Sequence, residues 1–339
     1  KLDAPEMRAL IGNLYTKWWP DLLVDDHTTD GADYRYDVTY STNHGAGMPL
    51  ALDRWIADAL ERGMVGRLAA KGHLVAPYLD FRGGGSDPRT GIDYGNSAPR
   101  FSTGYTQLQS RAALLVETHM LKPSGARVKA TYDLLMSLIE ELHAHPAALA
   151  QAVRDAEAEM VARARASDPA KRLQVLATTV ADRGVPFAWK GVQTRWEYSD
   201  ITGARVPRYS STPWDTTVTL YRETQPSLSV RVPAGGYLVP QEWTDVLDRM
   251  TLHGIRTRKL ARAWSDTVEM TRVTDHTSAT DAYEGRHNVR VLAVRLERQL
   301  RTFRAGDVWA PCDQRGGALV VNLLEAQAPD GFMAWGFFE

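Results

Sequence analysis

Two residues able to do metal or acid–base chemistry close apolar runs in this sequence: His27 ends LLVDDH and Glu117 ends ALLVE. An aliphatic run that stops at a titratable residue reads as a buried strand carrying that side chain to the carboxyl edge of an α/β sheet, where such sheets place their chemistry. A neutral imidazole is a good zinc ligand, and a carboxylate beside a metal-bound water is a good general base, so the pair reads as half of a metal-hydrolase site. Each residue also has a plainer reading. A lone histidine commonly caps a backbone carbonyl, and Glu117, costly to bury unpaired, needs a metal, a cation or a solvent-filled edge. Asp25, Asp26 and Asp30 lie near the same edge, where they either orient His27 through its second ring nitrogen or are simply solvated. The ETH run puts His119 on the same strand face as Glu117, which leaves a self-contained site of His27, Glu117 and His119 as a further option.

The elements that must position these residues carry a family resemblance. DAPEMRAL, PDLLVDDHTTDGADYRYDVTY and GYTQLQSRAALLVETHMLKPSGARVKATYDLL together resemble the later part of the catalytic domain of zinc carboxypeptidases of the M14 (carboxypeptidase A-like) family, in its bacterial branch, over roughly residues 1–142. The resemblance implies a mixed-sheet α/β zinc carboxypeptidase-like fold of which the chain holds the C-terminal part. It implies zinc as cofactor, His27 as the third zinc ligand, and Glu117 as the carboxylate that activates water. A loop tyrosine that hydrogen-bonds substrate falls on Tyr94 or Tyr105. Arg111 is either a substrate contact or an ordinary loop cation. The implied substrate is a peptide with a free C-terminus, and the implied location is secreted or periplasmic. The alternative within the same fold is a non-catalytic peptide- or glycan-binding module.

The pattern also departs from the family. An HxxE motif supplies its first two zinc ligands, and none of the nine histidines here has a glutamate three positions on: Asp30 follows His27, Gly47 follows His44, Ala76 follows His73 and Lys122 follows His119. Arg8 is the sole arginine before His27, whereas the family's carboxylate-binding arginines lie upstream of that ligand. The chain opens on Lys1 and runs at once into an amphipathic helix, with Met7, Leu10, Ile11, Leu14 and Trp18 at helical spacing. The expectation is a fragment without the front of its catalytic domain, inactive alone.

Composition narrows the partners. Lys plus Arg (40) nearly cancels Asp plus Glu (41), so charge argues for neither nucleic acid nor an anionic membrane surface, and peptides or small molecules are the better expectation. No apolar stretch approaches the roughly 20 residues of a membrane-spanning segment. The single Cys312 excludes an intrachain disulfide and a cysteine-based zinc cluster.

The 339 residues suggest two domains. Residues 1–145 alternate strand and helix patterns and include a long Gly/Ser/Asp/Pro-rich loop from Arg82 to Thr103. Residues 146–185 are Ala-rich and charged and read as a solvated helical connector, with an Arg-lined docking surface as the alternative. Residues 186–339 read as a β-rich α+β accessory domain, with strands through FAWKG, TTVTLYRE, VEMTRV, HNVRVLAVRLERQLRTF and ALVVNLLE. One helix, QEWTDVLDRMTLHG, is closed by Gly254. His253 and His287 read as structural histidines, and Trp335, Phe337 and Phe338 as core.

Overall fold

A computed structural model describes residues 1–338. The apolar runs around His27 and Glu117 become β1 (Leu22–Thr29) and a central strand of the same sheet, with β2 (Val38–Ser41) and β3 (Val75–Pro77) formed between them in the chain. Two short strands follow β3: β4 (Asp80–Phe81) and β5 (Ile92–Asp93). The Glu117 strand is therefore β6 (Ala112–His119). The four-stranded sheet runs β1-β6-β2-β3, with β1 parallel to β6, β2 antiparallel to β6, and β3 parallel to β2. β6 is flanked by strands on both sides and covered by helices on one face, while Leu115 and Glu117 on its other face floor a cleft. Every residue of β6 except Leu115 is buried.

The sheet's two faces differ in chemistry. On one face Val38, Leu114 and Val116 meet Leu52, Ile56, Leu60, Met64 and Leu68 of the helix over 50–70, together with Leu134 and Leu138 of helix Ser124–Ala144. Helix Ala148–Arg165 completes this layer through Ala152, Val153 and Ala156. That segment was expected to be solvated. Its buried stripe is built from small residues, so its pattern carries little hydrophobicity, yet the absence of bulk lets the helix approach closely. Further along, Met160 and Ala164 of the same helix enter a second core.

The later chain supplies β7 (Leu173–Val180), β8 (Gly184–Ser199), β9 (Ala204–Tyr221), β10 (Thr224–Arg231), β11 (Tyr237–Val239), β12 (Arg258–Lys259), β13 (Trp264–Ser278), β14 (Val289–Phe303) and β15 (Val308–Ala310). These are β-rich as expected, but the cores do not divide at the expected boundaries. β5 pairs with β9, Ile92 opposite Leu220, so strands from both parts share the sheet β4-β5-β9-β8. Leu108 likewise belongs to the core of Val246, Met250, Leu319, Phe332, Trp335 and Phe337. The molecule is a mixed α/β protein with several mixed sheets.

Two further differences from the sequence reading have clear causes. ALVVNLLE forms the helix Gly317–Leu324, not a strand, with seven of its eight residues buried. An element apolar on all sides shows neither period, so pattern cannot separate a buried strand from a buried helix. The long loop over 82–103 contains β5 and a single turn at Pro88–Thr90, capped by the Asp87 carboxylate accepting from the Arg89 amide. As expected, Gly254 sits just past helix Thr244–Leu252 with φ +71°, a left-handed conformation that suits glycine.

Candidate functional site

The register of β1 on β6 sets His27 directly opposite Glu117. Adjacent strands lie about 4.8 Å apart, and paired residues project to the same side of the sheet, so imidazole and carboxylate share one surface. Thr39 of β2 continues the row beyond Glu117. One pleat back, Asp25 pairs with Leu115, and Leu115 with Ser41. Tyr78, two residues beyond Ala76, extends this second row, its amide donating to the Tyr40 carbonyl at 2.7 Å. Asp25, His27, Ser41, Tyr78, Leu115 and Glu117 together floor a cleft of about 970 Å³. Its walls come from β4, from residues 93–98, and from the end of β7.

His27 is half-exposed, and its Nε2 lies 2.9 Å from Asp25 Oδ1. The two residues are separated by one position on the same strand, which puts them on one face and makes Asp25 the carboxylate that fixes the ring. Glu117 is 7% exposed, and its Oε2 has no hydrogen-bond partner among the described residues. Burial raises its pKa above the usual carboxylate range, His27 pulls it down, and Asp25 and Asp30 push it up. Its position at the floor of a cleft is one from which a carboxylate can accept a proton from bound water.

The other residues singled out in the sequence are more dispersed. Tyr94 lines the cleft with its ring, but its hydroxyl is turned to Thr42, near the amide at 3.2 Å and Oγ1 at 3.3 Å, and its ring stacks on His44. Tyr105 lies outside the cleft, its hydroxyl 3.0 Å from His253 Nδ1 and accepting from Gln109 Nε2 at 3.0 Å. Arg111 precedes the first residue of β6, roughly 20 Å along the strand from Glu117. Its buried guanidinium pairs with Glu157 at 2.7 Å and approaches Asp21 at 3.4 Å. His119 is one pleat past Glu117, opposite Thr29, buried edge-on against Tyr34, with Nδ1 accepting from the Leu121 amide at 3.2 Å. Burial lowers its pKa, and it does not line the cleft.

Sequence reasoning passed over Tyr78 and Arg82. Tyr78 is close enough to Glu117 and Asp80 for both charges to push its hydroxyl pKa up, after the larger effect of burial. Arg82 is the one arginine lining the cleft, donating to Asp93 at 2.9 Å and Asp182 at 2.9 Å with its guanidinium 3.5 Å from the centre of the Tyr221 ring. The available signal was PYLDFR itself, a strand that ends in polar and aromatic residues as the His27 strand does.

Comparison with known proteins points to carboxypeptidases. "Carboxypeptidase 2" of Trichophyton tonsurans is 31% identical over 100 residues, covering 30% of this chain and 18% of that protein. The same-named protein of Trichophyton equinum matches to the same extent, and a "probable carboxypeptidase 2" of Arthroderma benhamiae is 31% identical over 94 residues. The chain thus spans less than a fifth of these curated relatives, a distant and partial relationship. No family model and no solved structure matches it.

A hydrolytic zinc ion takes three protein ligands and keeps an open position. Of the residues expected at such a site, the cleft brings together only His27, held by Asp25, and Glu117. No cluster of three or more His, Cys, Asp or Glu side chains able to hold a metal occurs among the described residues. These residues therefore do not by themselves fit a zinc ion.

Proposed function

We propose that this chain carries the general-base side of a carboxypeptidase-type hydrolytic site, with Glu117 as the base and the cleft as the seat of a peptide's C-terminal residue. One observation carries the reading: the in-register placement of His27 beside a buried, unpartnered Glu117 at the floor of a cleft. The distant relationship to proteins named carboxypeptidase 2 supports it. Glu117 takes a proton from the attacking water and returns it to the departing amine, one carboxyl serving both steps. Asp25 holds the imidazole in place. Arg82, the arginine of the cleft, is the group that this reading assigns to the substrate's terminal carboxylate, in exchange for one of its two carboxylate partners, Asp93 and Asp182. The finer assignment, a zinc-dependent M14 enzyme with His27 as ligand, requires ligands from outside the described residues.

The second reading, a non-catalytic peptide-binding module on the same fold, is favoured by that incomplete ligand set. Turnover separates the two. In a protein that holds this chain together with a complete ligand set, peptides with a free C-terminus should be trimmed and their C-terminal amides spared, and Glu117→Gln should lower kcat by about 10²- to 10⁴-fold, the usual value of a positioned base. Equal turnover of free and amidated peptides, or near-normal activity in the variant, would overturn the assignment. Binding without any cleavage by that complete protein, in wild type and variant alike, would establish the second reading.

A further inference from the structure

Of the carboxylates that line the cleft, Glu117 alone is more than nine-tenths buried, and its Oε2 meets no hydrogen-bond partner among the described residues. A buried carboxylate with a free oxygen is costly unless something receives it when it ionises. The strand register supplies a group to do so. Thr39 of β2 stands directly opposite Glu117 in the antiparallel β2–β6 pair, so the two side chains rise from the same face of the sheet. The Cβ atoms of such pairs lie about 4.5–5.5 Å apart, a span that a hydroxyl on one side and a carboxylate on the other can close. On its other side Thr39 faces Ala76 of β3, whose side chain has no polar atom. Glu117 is therefore the one polar side chain directly across from Thr39.

Thr39 is itself out of place as a core residue. It is fully buried, and its Oγ1, like Glu117 Oε2, has no hydrogen-bond partner among the described residues. An orphaned hydroxyl costs free energy that a valine of the same shape would escape. Two orphaned oxygens on facing side chains, one able to donate and the other an acceptor once ionised, are complementary. Tyr34 joins them. Its ring packs edge-on against His119, one pleat beyond Glu117 on the same strand, with 5.0 Å between ring centres. Burial raises the pKa of its hydroxyl, the Thr39 side chain draws it down and the charge of Glu117 pushes it up, so the phenol lies within range of both.

We propose that Thr39 is the positioning residue of Glu117, its hydroxyl donating to the ionised carboxylate and accepting in turn from the Tyr34 hydroxyl. The inference rests on the reading of Glu117 as the base: a carboxylate held from its buried side keeps its other oxygen for the cleft. A hydroxyl can donate one hydrogen bond while accepting another, and each bond in such a chain polarises the next. The negative form of Glu117 is thereby held in place without a cation beside it.

Urea unfolding of the full chain at about pH 8, with Thr39→Val, Glu117→Leu and the two combined, tests the contact without requiring turnover. Valine in place of an orphaned hydroxyl should leave stability unchanged or raise it; valine in place of a hydroxyl that serves a carboxylate should lower it. Thr39→Val is expected to lower the folding equilibrium constant when Glu117 is present and to leave it unchanged or raise it in the Glu117→Leu background. The two effects should differ by about tenfold, the scale of one hydrogen bond to a charged group. Thr39→Ser, which keeps the hydroxyl, should retain most of the wild-type behaviour, and Tyr34→Phe should couple to Glu117→Leu in the same sense but more weakly. Additive effects, a Thr39→Val protein no less stable than wild type, or a Thr39→Ser protein that behaves as Thr39→Val does, overturns the inference. Thr39→Ala takes the place of Thr39→Val in the cycle if the valine protein folds in neither background. A coupled pair in a complete protein that cleaves no peptide keeps this contact and removes the carboxypeptidase reading. Cleavage that depends on Glu117, with an additive cycle, does the reverse.

Discussion

At the scale of single residues, Glu117 is the group whose chemistry is most exposed to test. Its folded pKa lies above the ordinary carboxylate range, chiefly through burial, so the folded state holds the proton more tightly than the unfolded chain. The stability this contributes is complete below the usual glutamate range and is lost as pH rises through the raised value. Glu117→Gln cannot ionise and escapes that loss. Melting temperatures of the two proteins from about pH 4 to about pH 8 should therefore diverge in favour of the variant as pH rises. Curves that stay parallel would mean that the carboxyl group is not held in the environment described here. The stability gain and the loss of turnover would then come from one substitution, as expected where a strained ionisable group is kept for function.

At the scale of elements, the cleft depends on how closely helix Ser102–Leu108 packs beneath one of its walls. A side chain at Gly104 would bring a Cβ within 2.2 Å of the Ala98 carbonyl oxygen, and Ala98 lines the cleft. Backbone cannot yield as a flexible side chain does. Gly104→Val should therefore cost about 1–3 kcal/mol by overpacking and lower the melting temperature, with peptide affinity falling as the wall moves. An unchanged melting temperature would refute that close approach. The β1–β6 register was not accessible from sequence, because three aliphatic residues precede Asp25 in β1 and five precede Glu117 in β6, so aligning the ends of the two runs would have set Asp25 and not His27 opposite Glu117. The helix at Gly317–Leu324 and the buried small-residue stripe of Ala148–Arg165 were not accessible, because burial on all sides removes periodicity and small residues give little hydrophobic contrast.

At the scale of the whole molecule, the matching segment covers less than a fifth of the related carboxypeptidases, and no three-ligand metal cluster occurs among the described residues. Zinc added to this chain should give no tight stoichiometric site by calorimetry, since one imidazole and one carboxylate leave a hydrolytic set incomplete. Tight one-to-one binding would point instead to a local site of His27, Glu117 and His119, which requires the buried His119 ring to turn into the cleft. Among the described residues no helix is long and apolar enough to cross a membrane. The near-balance of charge over the chain conceals a local imbalance at the cleft, and it is the local field that a substrate meets.

The sequence by itself determined that His27 and Glu117 lie on strands, that the early chain alternates helix and strand, and that the later chain is rich in β structure. Those are local properties, written in runs of apolar residues and in the residues that stop them. The Glu117 strand is buried as expected, but the His27 strand is an edge strand with no buried residue. Only the tertiary structure decided which other side chains meet that pair. Tyr105 and Arg111 lie in the right stretch of chain but turn to His253 and to Glu157, while Tyr78, Asp80 and Arg82 come to the cleft through the placement of β3 and the pairing of β4 with β5. Strand pairing between distant segments obeys no local period, so a one-residue difference in register would have sent those side chains to the opposite face.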